Sequence, residues 1–434
     1  MPRYAEICSC DVLVCDVLVC GAGPAGLGAA MAARRMGADV VLLERAALPG
    51  GTICAVPWMP VNRLYTDGCQ RSRIHQEFID NLLKFGPASS RPGKVNVIDG
   101  DGIHPHPVYA ELAIYDMLEA AGVRYRTHSP VSDAIVDGSR VVGAVVCEKR
   151  GPVAYRARVC IDATGDGDLA FAAGCAFEQG REEDGLHMPI TLGFSLGGVD
   201  CDRFFEWYGD EKRPEFLKML DEADKNGRYV AAWYSLNRAT VPGIVGVNHG
   251  AWRRQPLTSD GLNAADLTAA RRNGVHIAAD LIQILRENRV PGMKSCFIDQ
   301  LGGILGVRDT RRVIGEYTVT YEDSQQGPAF SDSVARKYGH IDGNQLFVGG
   351  MKSGFSYPYR AMLPRGVDGL LVAGRCGSAT FLGHCAGKSM GNMMEIGIAA
   401  GTAAAMCAQR GETPRQLNID DLRHALIEEI KVSL

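Results

Sequence analysis

The chain has 434 residues, which is too long for one ordinary domain and predicts two or three domains with ample core. Its 46 basic and 50 acidic residues leave a formal charge of −4 with no block of like charges, arguing against a nucleic-acid surface or a polybasic membrane anchor. Glycine is the outlier: 52 residues without a collagen period, in a chain that is 46% hydrophobic, exclude a fibre and argue against disorder.

The apolar run from Val17 to Ala33 is punctured by Gly21, Gly23, Pro24, Gly26 and Gly28, so it reads poorly as a membrane span. Cleavage of a signal peptide here would discard this glycine loop. No export signal is therefore expected, and the 14 cysteines read as reduced thiols in a cytosol. Asp16–Cys20 (DVLVC) reads as a strand, GAGPAG (21–26) as a turn, the following small residues as a helix, and DVVLLER as a second strand ending at Glu44 and Arg45. In such a unit the first two glycines let backbone N–H groups approach a pyrophosphate, and the third allows close helix–strand packing. Glu44, 18 residues beyond Gly26, stands where a carboxylate can meet a ribose. DVLVC also occurs at Asp11–Cys15. A five-residue shift puts equivalent side chains on opposite strand faces, so this first copy is expected to be an extension or an exposed tail. Cys8, Cys10, Cys15 and Cys20 fit neither zinc nor iron–sulfur spacing, and no metal site is expected.

His104 and His106 in GIHPHP read as a turn rather than a metal pair. Val108–Ala121 has helical spacing and stops at Gly122, and a small antiparallel meander is expected at about 128–160, with turns at Asp137-Gly138 and Arg150-Gly151. Arg158–Gly174 then runs as a strand into Ala163-Thr164-Gly165, and its acid-rich GDGD opens a helix. Far downstream, Val367–Ala408 reads as a buried strand, a glycine-rich loop and a long helix beginning near Lys388, whose N-terminal N–H groups can face an electron-rich oxygen.

With these segments together, the chain resembles the bacterial FAD-dependent oxidoreductases, two-dinucleotide-fold flavoproteins of glutathione-reductase-like or fumarate-reductase-like architecture. The motifs that carry the resemblance are DVLVCGAGPAG with LLER, Gly50–Thr52 (GGT), IDATGDGDLA, Leu301–Asp323 (LGGILGVRDTRRVIGEYTVTYED) and YPYRAMLPRGVDGLLVAGR with its helix. The resemblance implies an α/β fold, with a Rossmann-like FAD-binding domain and an inserted α+β substrate-capping domain. The expected division is 1–175 and 356–434 for FAD binding and 176–355 for the cap. It further implies that Gly21, Gly23, Pro24, Ala25 and Gly26 hold the FAD pyrophosphate, and that Glu44, with Arg45 beside it, binds the adenosine ribose. Gly51 and Thr52 would lie along the pyrophosphate or flavin, Val131 near the adenine, and Thr164, Gly165 and Asp166 beside the AMP half. Gly374 and Arg375 would approach the ribityl chain, and Ser389, Met390 and Gly391 would face the flavin pyrimidine. Where many relatives have a His after Ser-Ala-Thr, this chain has Phe381, with His384 and Cys385 following. The glycines cluster at 21–28, 50–51, 165–167 and, 12 times, between Gly349 and Gly401, which reads as the footprint of the cofactor.

Hydride chemistry at a flavin often wants an acid or base beside the reacting carbon. His384 is the first candidate, ahead of Cys385, Tyr359 and Arg360, with Tyr357 and His249–Asn248 also in view. An ordinary loop histidine is the competing reading. Arg308, Arg311 and Arg312 can clamp a carboxylate or phosphate, or pair locally with acids. Trp233, Tyr234 and Trp252 can line a pocket or pack an interface. The expected activity is a cytoplasmic FAD-dependent dehydrogenase or oxidase moving a hydride between a small organic substrate and flavin, with NAD(P)H or another donor or acceptor completing the cycle. The alternatives are an NAD(P)H- and O2-dependent monooxygenase and an electron-transfer subunit of a complex.

Overall fold

A computed structural model describes residues 12–66, 69–92, 102–209, 213–343, 346, 348–351 and 354–432. Strand β1 (Val12–Cys20) leads through the glycine turn into helix α1 (Pro24–Arg35) and strand β2 (Val40–Leu43), all buried at their centres. Pro24 opens α1 at a position where a missing N–H is no loss. Helix α2 (Arg73–Leu83) is capped by the Ser72 hydroxyl, which accepts from the His75 N–H. Helix α3 (Pro107–Ala121) ends on Gly122 in the left-handed conformation (φ 71°), as a helix C-terminus favours.

Strands β3 (Arg124–Arg126), β4 (Val131–Asp137), β5 (Arg140–Glu148) and β6 (Gly151–Asp162) follow. The main sheet runs β3-β2-β1-β6-β5-β4. β1, β2, β3 and the C-terminal half of β6 are parallel, whereas β6, β5 and β4 reverse at Gly138 and Gly151 and are antiparallel. A second sheet contains β7 (Phe194–Gly197), β8 (Tyr234–Arg238) and β9 (Val245–His249). Helix α4 (Ala264–Glu287) and strand β10 (Phe297–Leu301) complete it, in the antiparallel order β8-β9-β7-β10. It has its own core, built on Phe194, Phe204, Phe216, Leu281 and Leu285. The pair β11 (Ser333–Lys337) and β12 (Phe355–Pro358) then returns the chain to the first core, where β13 (Leu370–Val372) joins β6 in parallel and helix α5 (Met390–Arg410) packs on α1. The molecule is thus an α/β protein with a largely parallel central sheet. No helix among the described residues is long and apolar enough to cross a membrane.

The first DVLVC copy is an extension of β1 and not an exposed tail. Val12–Cys15 continue β1 and pair in register with Ala154–Ala157 of β6, with Cys15 buried and Val14 65% exposed. β6 is long enough to give the repeat a partner, which the local pattern does not reveal. His104 and His106 depart from the expected turn: His104 lies in a short strand, and the His106 ring accepts from the Val108 N–H at the start of α3.

Many glycines also serve packing rather than an approach to a ligand. A Cβ on Gly28 would lie 2.3 Å from the Met394 carbonyl oxygen, and one on Gly401 would lie 2.0 Å from that of Ala29, so α1 and α5 cross backbone to backbone. Gly391 likewise packs against the Arg63 carbonyl at 2.0 Å. The reading of the glycine clusters as one cofactor footprint is corrected accordingly.

Candidate active site

The glycine turn is built tightly. Gly21 has φ 97°, and its Cβ would strike the Ala163 carbonyl, while a Cβ on Gly26 would strike Gly21 itself at 1.7 Å. Gly23 differs, because a Cβ there would meet nothing within 4 Å. It is the N-cap of α1 and offers no side-chain acceptor, and the first turn carries no acid, so the helix presents its N–H groups to open space. Gly51 (φ 54°) lies against Gly23 across this opening. Glu44 closes the far side: its Oε2 accepts from the Ala22 N–H at 2.7 Å and its Oε1 from the Ala46 N–H at 2.8 Å. The Ser129 N–H donates to the Glu44 carbonyl, which brings the start of β4 at Val131 alongside.

The third expected segment is knitted by acids. Asp162 is fully buried and accepts from both the Thr164 N–H and hydroxyl, so Thr164 is committed to this turn. Burial pushes the Asp166 carboxyl up, but Arg375 (2.5 Å) and Arg45 (3.3 Å) outweigh it and hold it below the usual range. Gly165 lies against the Arg375 guanidinium. Burial raises Asp168 to about 6, helped by Asp166 and Asp162. Gly374 (φ 95°) packs on Ala25, joining the first and last segments.

A cavity of about 520 Å³ lies beyond these loops. Thr52, Met59, Asn62 and Arg63 form one wall, and Thr191, Trp233, Ser235 and Asn248 from and around the second sheet form the facing one. Arg308, Tyr338, His340 and Asp342 continue it, and Lys388, Ser389, Met390 and Met393 close it at the start of α5. Ser389 is the N-cap of this helix, yet its hydroxyl caps nothing and is buried without a partner among the described residues. A 21-residue helix thus ends at the cavity with its N-terminal dipole uncompensated by any acid in the first turn. Of the expected cofactor residues, Thr52, Arg375, Ser389 and Met390 line the cavity, whereas the Gly391 N–H is taken by the Asn62 carbonyl at 3.0 Å.

None of the four expected catalytic residues lines the cavity. His384 is buried with Nε2 2.9 Å from the Arg308 carbonyl, and burial, reinforced by Lys388, drives its pKa well down. Burial raises the Cys385 thiol to about 11, so it is not a thiolate near neutrality. The Tyr359 hydroxyl donates to the Pro414 carbonyl at 2.9 Å, and Arg360 faces Asp332 at 3.3 Å on the partly exposed side. Tyr357 is buried, and both ring nitrogens of the buried His249 face carbonyls. Of the three aromatics considered together, Trp233 reaches the cavity, Tyr234 is core, and Trp252 stacks on Tyr229 at 4.7 Å.

The sequence reading missed Asn62, Arg63 and Tyr338, which come from connecting loops, and Asp342, which ends the three-residue strand His340–Asp342; none carries a periodic or motif signal. A buried arginine holds several of them in place. Arg71 Nε donates to Glu395 Oε2 at 2.7 Å, and its Nη1 donates to the Arg63 carbonyl at 2.9 Å and to Asn392, tying the cavity wall to α5.

Residues 16–426 match the family described as FAD dependent oxidoreductase. The chain belongs to this family. It is an enzyme, an FAD-dependent oxidoreductase, and FAD is its cofactor. Among solved structures the oxidoreductase is similar to a geranylgeranyl bacteriochlorophyll reductase-like protein from Thermoplasma acidophilum, at 13% identity and TM-score 0.50, covering 97% of this chain and 85% of that one. It is also similar to p-nitrophenol 4-monooxygenase from Pseudomonas putida DLL-E4, at 13% identity and TM-score 0.49, covering 98% and 87%. At such identities the first of these likenesses shows a shared fold, and the second adds no argument. No curated protein matches the chain in sequence.

Proposed function

We propose that the oxidoreductase transfers a hydride between a small organic substrate and FAD, as a dehydrogenase or oxidase, with the substrate in the cavity at the start of α5. The observation that carries the reading is the uncapped α5 N-terminus with its orphaned Ser389 hydroxyl, set in the wall of a cavity that Thr52 and Arg375 also line.

The chain's own groups fit the cofactor. The space that a Gly23 Cβ would fill, next to the free N–H groups of α1, suits a pyrophosphate, and Glu44 suits a ribose hydroxyl. Bound FAD supplies the two-electron centre that takes up or gives the hydride. The N-terminal dipole of α5 and Ser389 stabilise negative charge at the cavity wall, and Lys388 reinforces them. Trp233, Ser235 and Asn248, from and around the second sheet, line the side of the cavity that faces Thr52. His384 and Cys385 support the loop that leads into α5 and take no proton from the substrate.

Anaerobic mixing of the FAD-loaded protein with small hydroxy and amino acids, and separately with NADPH, tests the reading. Bleaching of the flavin by an organic substrate, with the substrate oxidised by two electrons, is expected. Rapid bleaching by NADPH followed by incorporation of labelled O2 into product would overturn it in favour of a monooxygenase.

A further inference from the structure

Three arginines lie within five residues of one another, and the fold sends them apart. Arg311 pairs with Asp168 at 3.2 Å and stacks on Phe171, and Arg312 is buried with its Nε and Nη2 on the carbonyls of Ala379 and Gly180. Arg308 alone of the three lines the cavity. Its Nη1 donates to Asp342 Oδ2 at 3.1 Å, and its guanidinium lies over Trp233, 5.8 Å from the ring centroid. Its Nε is buried with no acceptor among the described residues. Arg311 and Arg312 each carry a buried N–H of the same kind, so what sets Arg308 apart is its place in the cavity wall over Trp233.

The charge count points the same way. Lys388 Nζ lies 3.7 Å from the same Asp342 oxygen, so one carboxylate stands between two cations. Asp309, the next carboxylate near Lys388, is engaged elsewhere: it accepts from the Met188 N–H at 2.7 Å and faces His187 at 3.4 Å. Arg308, Asp342 and Lys388 thus set two basic side chains around one carboxylate at the cavity wall. A planar guanidinium edge beside a second cation matches a carboxylate, which accepts two N–H bonds in one plane.

We propose that Arg308, with Lys388 behind it, binds the carboxylate of the substrate, so that the oxidoreductase acts on a small carboxylic acid whose body lies against Trp233. The assignment of a reaction to this acid rests on the hydride-transfer reading, but its binding does not.

The test is titration of the FAD-loaded protein with benzoate, its neutral isostere benzamide, and inorganic phosphate, followed by the flavin absorption and fluorescence. Saturable binding of benzoate at least tenfold tighter than benzamide is expected, and this comparison needs no variant. Arg308→Gln should abolish the preference. Arg308→Lys, which keeps the charge but loses the planar edge, should leave a reduced preference with FAD retained. Equal binding of benzoate and benzamide, tighter binding of phosphate than of benzoate, or an unchanged preference in Arg308→Gln would overturn the proposal. Arg308-dependent benzoate binding in a protein whose flavin no organic substrate reduces would uphold the site and remove the hydride-transfer reading. Turnover of neutral substrates that carboxylates neither replace nor inhibit would do the reverse.

Discussion

The Cβ that Gly397 lacks would lie 1.9 Å from the carbonyl oxygen of Ala25, so α1 and α5 meet with their backbones in contact. This contact aligns two helix N-termini, one at Gly23 and one at Ser389, with the two ends of the proposed FAD site. A close approach of this kind tolerates no side chain. Gly397→Ala should destabilise the fold by about 1–3 kcal/mol through overpacking, read by denaturant unfolding of the apoprotein. Unchanged stability would contradict the backbone contact.

Gly23 gives the opposite expectation. Its φ of −70° and ψ of −173° suit alanine, and the added methyl meets nothing of the protein. Gly23→Ala should leave apoprotein stability within about 0.5 kcal/mol of wild type, yet weaken FAD at least tenfold by occupying the proposed pyrophosphate space. Equilibrium titration with FAD checks the second half, and an unchanged affinity would move the pyrophosphate elsewhere.

Arg71 and Glu395 form an ion pair at 2.7 Å with side chains only 2% and 1% exposed. Glu395 also accepts from the Arg336 N–H at 2.7 Å. Removing the cation alone strands a buried carboxylate, so Arg71→Met should cost about 3–5 kcal/mol, whereas Arg71→Met with Glu395→Gln should recover part of it. Denaturant unfolding of the single and double variants measures the difference.

Lys337 is buried beside Phe355, its ammonium donating to the Gly383 carbonyl at 3.3 Å, and burial lowers its pKa from 10.5 to about 7. Between pH 7 and 10.5 the unfolded chain therefore holds a proton that the native state has released, and stability contributed by this group rises with pH by up to about 1.4 kcal/mol per unit. Below pH 7 both states are protonated and the contribution is at its minimum. Lys337→Met should be more stable than wild type near pH 7, with the advantage shrinking towards pH 10. A constant difference across that window would contradict the buried, neutral lysine.

How much of this was legible in the residues depends on whether the signal was local. The β1–α1–β2 unit, the helix ending at Gly122 and the start of α5 near Lys388 follow from periodicity, glycine turns and caps within short windows, and the structure places them within about three residues, except that β1 begins at Val12 rather than Asp16. Thr52, Arg375, Ser389 and Met390 were anticipated through motifs and do meet at the cavity. Arg63, Tyr338 and Asp342 were not, because residues of loops and of a three-residue strand reach a site through long-range contacts such as the Arg71 bond to the Arg63 carbonyl. The first DVLVC copy was left open between an extension and a tail for the same reason, since the partner that makes it an extension lies 142 positions away in β6. His384 was weighed as an acid or base against an ordinary loop histidine, and sequence alone does not show the Arg308 carbonyl that faces its ring.

The crystal structure of the FAD complex is the most direct test of the central claim. The account predicts the pyrophosphate at the Gly23 end of α1, the ribose at Glu44 and the flavin ring in the cavity against Ser389 and Met390, with Arg308 beside the substrate space. A flavin ring bound outside that cavity, with α5 and Arg308 remote from it, would contradict it.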